Sequence, residues 1–131
     1  MADVVKVVDT GLAKITELLA GVSTVCPGWV GWGTGTTAPV DGNTGLETPS
    51  AEARTEGTKT QQTTNTTNDT YQVVAQITAL SAQAITEVAV FDASTSGDLF
   101  VRGTFDAINL SIGDSITFTI KTVFEQETAE E

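Results

Sequence analysis

The chain has 131 residues, 40% hydrophobic and 18% charged, a size and balance that fit one folded domain and are too apolar for a disordered one. Its 17 acidic against 6 basic residues give a net charge of -11, which by repulsion disfavours nucleic acid and anionic membrane surfaces as partners. Histidine is absent and Cys26 is the single cysteine, so the usual zinc sites, Ser-His-Asp triads, Cys-His pairs and an intrachain disulfide are all excluded.

Met1-Ala2-Asp3 lacks the basic start and apolar run of a signal peptide, and no stretch approaches the length of a membrane span. Synthesis in the cytoplasm is therefore expected, and the Asn-x-Ser/Thr triplets at Asn65, Asn68 and Asn109 carry no meaning for glycosylation. Apolar residues at Val4, Val8, Leu12, Ile15, Leu18, Leu19 and Val22, with Lys6, Lys14 and Glu17 between them, follow helical spacing. They predict a helix over residues 10–20, capped by Asp9 or Thr10 and ended by Gly21. Gly11 and the pairs Val4-Val5 and Val7-Val8 weaken its start, so residues 3–8 stay open between helix and strand.

From Cys26 to Gly35 glycine and proline exclude a regular helix, and turn formers continue to Pro49. Trp29 and Trp32 stand in this segment, and rings of that size require cover. Alternating charges at Glu52, Arg54 and Glu56 predict an exposed strand over residues 51–59, and the polar tract 60–70 a wet strand end and hairpin loop. Period-two alternation then predicts strands over residues 71–79, 85–91, 99–105 and 116–124, the last with Ile116, Phe118, Ile120 and Phe124 on one face and Thr117, Thr119 and Lys121 on the other. The connections are too short for crossover helices, so neighbouring strands run antiparallel. The expected fold is mainly β, an antiparallel β-sandwich or jelly roll with a short N-terminal helix. Its expected parts are a helical segment over residues 1–27, a sandwich over 28–124 and a loose acidic tail over 125–131, with Tyr71, Phe91, Ile116, Phe118 and Ile120 in the core.

No catalytic residue, cofactor or metal site is expected, because the carboxylates cluster in turns, at strand ends and in the tail, as solvated charges do. Asp92-Ala93-Ser94-Thr95-Ser96-Gly97 resembles the opening of a calcium loop, yet the twelfth position is Gly103 where a bidentate glutamate is required, and a hairpin turn explains it better. Gly31, Gly33 and Gly35 lack the spacing of a phosphate loop. Trp29 and Trp32 suit either a sugar-stacking platform or, more commonly, burial against the sheet or a partner chain. The segment from the N-terminus through Trp32 has apolar residues with no obvious place in the sandwich, so Leu12, Ile15, Leu18, Leu19, Trp29 and Trp32 are the candidate interface.

Several segments carry a resemblance. They are Gly28-Trp29-Val30-Gly31-Trp32-Gly33-Thr34-Gly35-Thr36-Thr37-Ala38-Pro39, then Asn68 to Val74, Ala84 to Ala93, Leu99 to Phe105 and Gly113 to Ile116. Together they resemble small virion proteins of tailed bacteriophages, among them head decoration or cement proteins, and the portion from Ile85 to Ala93 is similar to modules of phage tail fibres. The resemblance implies a non-enzymatic virion protein on the capsid surface, a β-sandwich that assembles as a homotrimer and clamps the major capsid protein. The alternative it leaves is a tail, baseplate or fibre component acting as a carbohydrate-binding adhesin.

Overall fold

In the computed structural model, which describes residues 4–126, valines at the start of the chain form a strand and not a helical turn. β1 (Val4–Val7) pairs antiparallel with β7 (Leu99–Leu110), from Val4 opposite Thr104 to Val7 opposite Val101. β-branched residues fit such a pleated edge better than a helix. Val8 is fully buried at the N-cap position, and α1 (Asp9–Leu19) follows at once.

No side chain caps α1. Asp9 sits in the first turn, and the Thr10 hydroxyl is used otherwise, donating to the Leu99 carbonyl at 2.6 Å. Gly21 ends the helix as expected: with φ 75° it lets its own N–H reach Leu18 O while Val22 N–H reaches Glu17 O, a Schellman arrangement. Gly11, a poor helix former, allows close approach to β7, since a Cβ there would lie 2.1 Å from Phe100 O. Residues 4–19 thus join the body through β1, Val8 and α1.

β2 (Trp29–Gly33) is an interior strand, although its glycines read as a loop in sequence. Val30 and Trp32 point into the core, and the opposite face is kept flat by Gly31 and Gly33. A Cβ at Gly33 would meet Thr48 O at 2.3 Å, so backbone packs directly on backbone there. The strand expected over residues 51–59 is broken in two: β3 (Thr55–Glu56) pairs with β2, and β4 (Thr58–Gln62) belongs to the other sheet. Gly57 makes the passage, with Val73 Cγ1 2.5 Å from where its Cβ would be.

β5 (Thr70–Thr78), β6 (Gln83–Phe91), β7 and β8 (Ser115–Val123) match the expected alternating segments, β7 running on to Leu110. All pairings are antiparallel, in a five-stranded sheet of order β1-β7-β6-β2-β3 and a three-stranded sheet of order β4-β5-β8. Sequence neighbours pair in the β4–β5 and β6–β7 hairpins, whereas β5 to β6 and β7 to β8 cross between sheets.

The sheets form a sandwich around Val30, Trp32, Val73, Ile77, Val90 and Phe118. Trp32 meets Phe118 edge-on at 6.3 Å, and Phe105 lies 6.0 Å from Phe118. Of the expected core, Phe118 is buried there, but Tyr71, Ile116 and Ile120 are only partly buried; Phe124, expected on the same strand face as Phe118, is half exposed. Phe91 is buried on the outer face of the larger sheet, with Val8, Ala89 and Leu99. The expected loose tail begins with Glu125, which accepts a hydrogen bond from Asn65 Nδ2, and its residues 127–131 lie outside the described ones.

Because Phe118 contacts two rings between the sheets, Phe118→Ala is expected to cost about 3–5 kcal/mol. Thr117→Ala and Thr119→Ala, on the outward face, are expected to cost well under 1 kcal/mol as surface changes on a strand. Denaturant midpoints of the three variants check the strand register.

Candidate functional site

The most heavily constrained part of the molecule is the outer face of the five-stranded sheet. Glu87 on β6 and Arg102 on β7 both point outward from the sandwich, yet each is 1% exposed or less, because residues 34–49 fold over them. Arg102 Nε and Nη2 each donate to Glu87 Oε1 at 2.9 Å. The remaining capacity of the carboxylate is filled by backbone N–H groups of Gly35, Glu47 and Thr48 at 2.8–2.9 Å. Arg102 also donates to Thr37 O and Asn43 Oδ1. No buried side-chain polar atom lacks a partner among the described residues.

Further carboxylates organise the covering segment and other turns. Glu47 accepts from the Thr37 hydroxyl and from the N–H groups of Thr36 and Thr37, and these bonds hold its carboxyl below the usual range. Glu52 accepts from Trp32 Nε1, Leu80 N–H and Gln83 Nε2; burial opposes its ionisation, but the hydrogen bonds outweigh it and its pKa is lowered. Asp69 closes the loop after β4 by accepting from N–H groups of residues 64–66 and from the Thr70 hydroxyl, which holds its carboxyl far below the usual range.

The turn from Asp92 to Asp98 binds the protein's own cations. Arg54 stacks on Phe91, 3.4 Å from the ring centroid, and donates to the carbonyls of Ala93 and Ser96. Lys14 reaches Asp92 at 3.1 Å from the buried side of α1. Burial disfavours ionisation of Asp92, but the Asp98 N–H and Lys14 prevail and lower its pKa, while the bond to Asp92 raises that of Lys14. Among the described residues no group of three or more His, Cys, Asp or Glu is placed to hold a metal ion.

The six candidate interface residues do not form one patch. Trp32 is 1% exposed, so it belongs to the core, and a platform of two indoles is ruled out. The hydrogen bond from its indole to Glu52 removes the polar penalty that would otherwise oppose burial. Trp29 is partly buried against the outer-face cluster of Val8, Ala89, Phe91 and Leu99. Along α1, Leu12 and Leu19 are 55% and 83% exposed, whereas Ile15 and Leu18 are partly buried. Ile15, Leu18 and Leu19 line a recess of about 190 Å³ with Tyr71, Phe100 and Phe124. Tyr71 donates its hydroxyl to Pro27 O, and burial pushes its ionisation upward.

The anchoring pair Glu87–Arg102 had a visible signal. Glu87 is the lone charge of β6 and Arg102 the lone cation of β7, so the two have opposite sign on successive strands.

Residues 11–124, from the first turn of α1 to just past the end of β8, match the model of the family described as podophage GP4 fiber I protein gp80. The chain belongs to that family. It is therefore a bacteriophage virion structural protein of a fibre type, built as a mainly β body with one short helix. No curated protein matches it. Within this family member, Glu87, Arg102 and Glu47 hold the covering segment to the sheet, Asp69 closes its own hairpin loop, and Asp92 ties α1 to the β6–β7 turn.

Two outcomes follow for stability. Arg102→Ala leaves the Glu87 carboxylate buried without its counter-ion and is expected to cost about 3–5 kcal/mol, measured by urea denaturation. Glu47, Glu52, Asp69 and Asp92 have pKa values lowered on folding, so their contribution is full above the ordinary carboxylate range and lost as pH falls through that range and below it. Lys14, raised on folding, contributes fully below its ordinary value of 10.5 and loses that contribution as pH rises above it. Urea midpoints are thus expected to be level near neutrality and to fall at both extremes, with Glu52→Gln showing a shallower acid limb than the parent.

Proposed function

We propose that the protein is a structural component of a fibre on the phage particle and carries no catalytic role. The observation that supports this reading is the family match, which spans the helix and all strands from β2 to β8. The physical organisation agrees with it: the polar groups of highest order are consumed in pinning a covering loop, and none converges on an open cavity as an acid, base or nucleophile. A virion part gains from such construction, since its work is to persist and to present surfaces to neighbouring chains.

A clamp on the major capsid protein at the head surface is the competing placement, and no feature of the fold favours it over a fibre. Gold-labelled antibody against the chain, applied to intact particles under the electron microscope, tests the placement. Label confined to tail or fibre structures is the expected result; regular label over the head would replace the fibre reading with capsid decoration.

A further inference from the structure

The two sheets differ in strand number, and the difference leaves one side of the sandwich open. Among the described residues β8 is the last strand of the smaller sheet and pairs only with β5. Its other edge faces a cleft of about 460 Å³, with Val5, Val88, Val101 and Phe105 on the opposite wall. Six successive residues, Ile116 to Lys121, border the cleft, so it runs along the edge of the strand and not merely over one face.

A free edge of nine residues presents unpaired N–H and C=O groups, the template on which another strand adds. Proteins that keep such an edge unpaired protect it with proline, charges or a bulge. β8 has no proline, no glycine and no break in its register with β5, and its one charge is Lys121. The occupant follows from the charge distribution. Although the chain carries 17 acidic residues, none lies between Ser115 and Phe124, so along this strand two copies of net charge -11 can pair without acid facing acid, and the acid that borders the cleft, Asp106, belongs to β7.

We propose that β8 pairs antiparallel with β8 of a second copy, continuing the three-stranded sheet across both molecules and covering the open cleft. Centred on Thr119, the pairing sets Phe118 opposite Ile120 and Thr117 opposite Lys121, so no like charges oppose. Ile116, Phe118 and Ile120 of each copy then turn toward the overhanging inner face of β7 and β1. The contact is isologous, the same patch on both copies. It is carried by the geometry of β8 alone and does not depend on where in the particle the chain resides.

Purified protein with Cys26→Ser, carrying one of Thr117→Cys, Thr119→Cys, Lys121→Cys or the distant exposed control Ser94→Cys, tests it under mild oxidation. The expected result is a covalent dimer formed most readily with Thr119→Cys and not with Ser94→Cys. Light scattering is expected to give a dimer or an even multiple for the parent, and a monomer with unchanged circular dichroism for Thr117→Lys/Thr119→Lys. Cross-linking at the β8 positions no greater than at Ser94, or a closed trimer whose mass the lysine pair leaves intact, would overturn the proposal. Should the lysine pair fail to fold, the cysteine comparison decides alone.

Discussion

Two opposite charges, Glu87 and Arg102, are held out of water on the side of a sheet that a simple sandwich would leave wet. Taking both from solvent is costly, and their mutual attraction offsets it only if their remaining hydrogen-bonding capacity is met. That condition dictates the covering segment: three backbone N–H groups must arrive at one carboxylate, and a carbonyl and an amide oxygen at one guanidinium. Gly33 and Gly35 are explained by it, because Glu87 Oε2 lies 2.6 Å from where a Cβ at either would be. A stretch with the composition of a mobile loop thereby becomes a third layer on the sandwich.

The same economy of groups accounts for much of the acidic character. Glu47, Glu52, Asp69 and Asp92 accept hydrogen bonds from backbone N–H groups and so act as local organisers of turns, even though their position in turns makes them look like solvated charges. Lys14 pairs with Asp92 across elements and thereby ties α1 to the β6–β7 turn. A helix with no side-chain cap is held by that pair, by Thr10 on Leu99 O and by the contact that Gly11 allows.

Much of the fold was legible where one periodicity dominated. β5 and β8 alternate over nine residues each, and both appear near the expected bounds. Trp29–Gly33 was not legible, because its glycines serve tertiary approaches, of Arg54 to Gly31 and of Thr48 to Gly33, that no local pattern encodes. Nor was the break at Gly57, which depends on Val73 standing against it. Of the interface candidates, Trp32 belongs to the core because a half-glycine strand still has one fully apolar face. Leu12 and Leu19 remain on the surface because Gly11 and Lys14 turn the other side of α1 inward. The open cleft could not be foreseen from alternation, since it arises from the unequal division of strands between two sheets.

The covering layer also has a place in time. Its anchor, Glu87, is aligned only when β6 has paired with β7, a local hairpin, whereas the groups that bind it lie 39 to 52 residues away along the chain. Closing such distant loops is entropically slow, so the hairpin precedes the cover during folding. The interactions made last are those absent from the transition state, and they govern how quickly the finished molecule comes apart. Covering that ion pair at the end of the pathway thus makes the cover a latch: it adds little to the speed of assembly and much to the lifetime of the assembled fold.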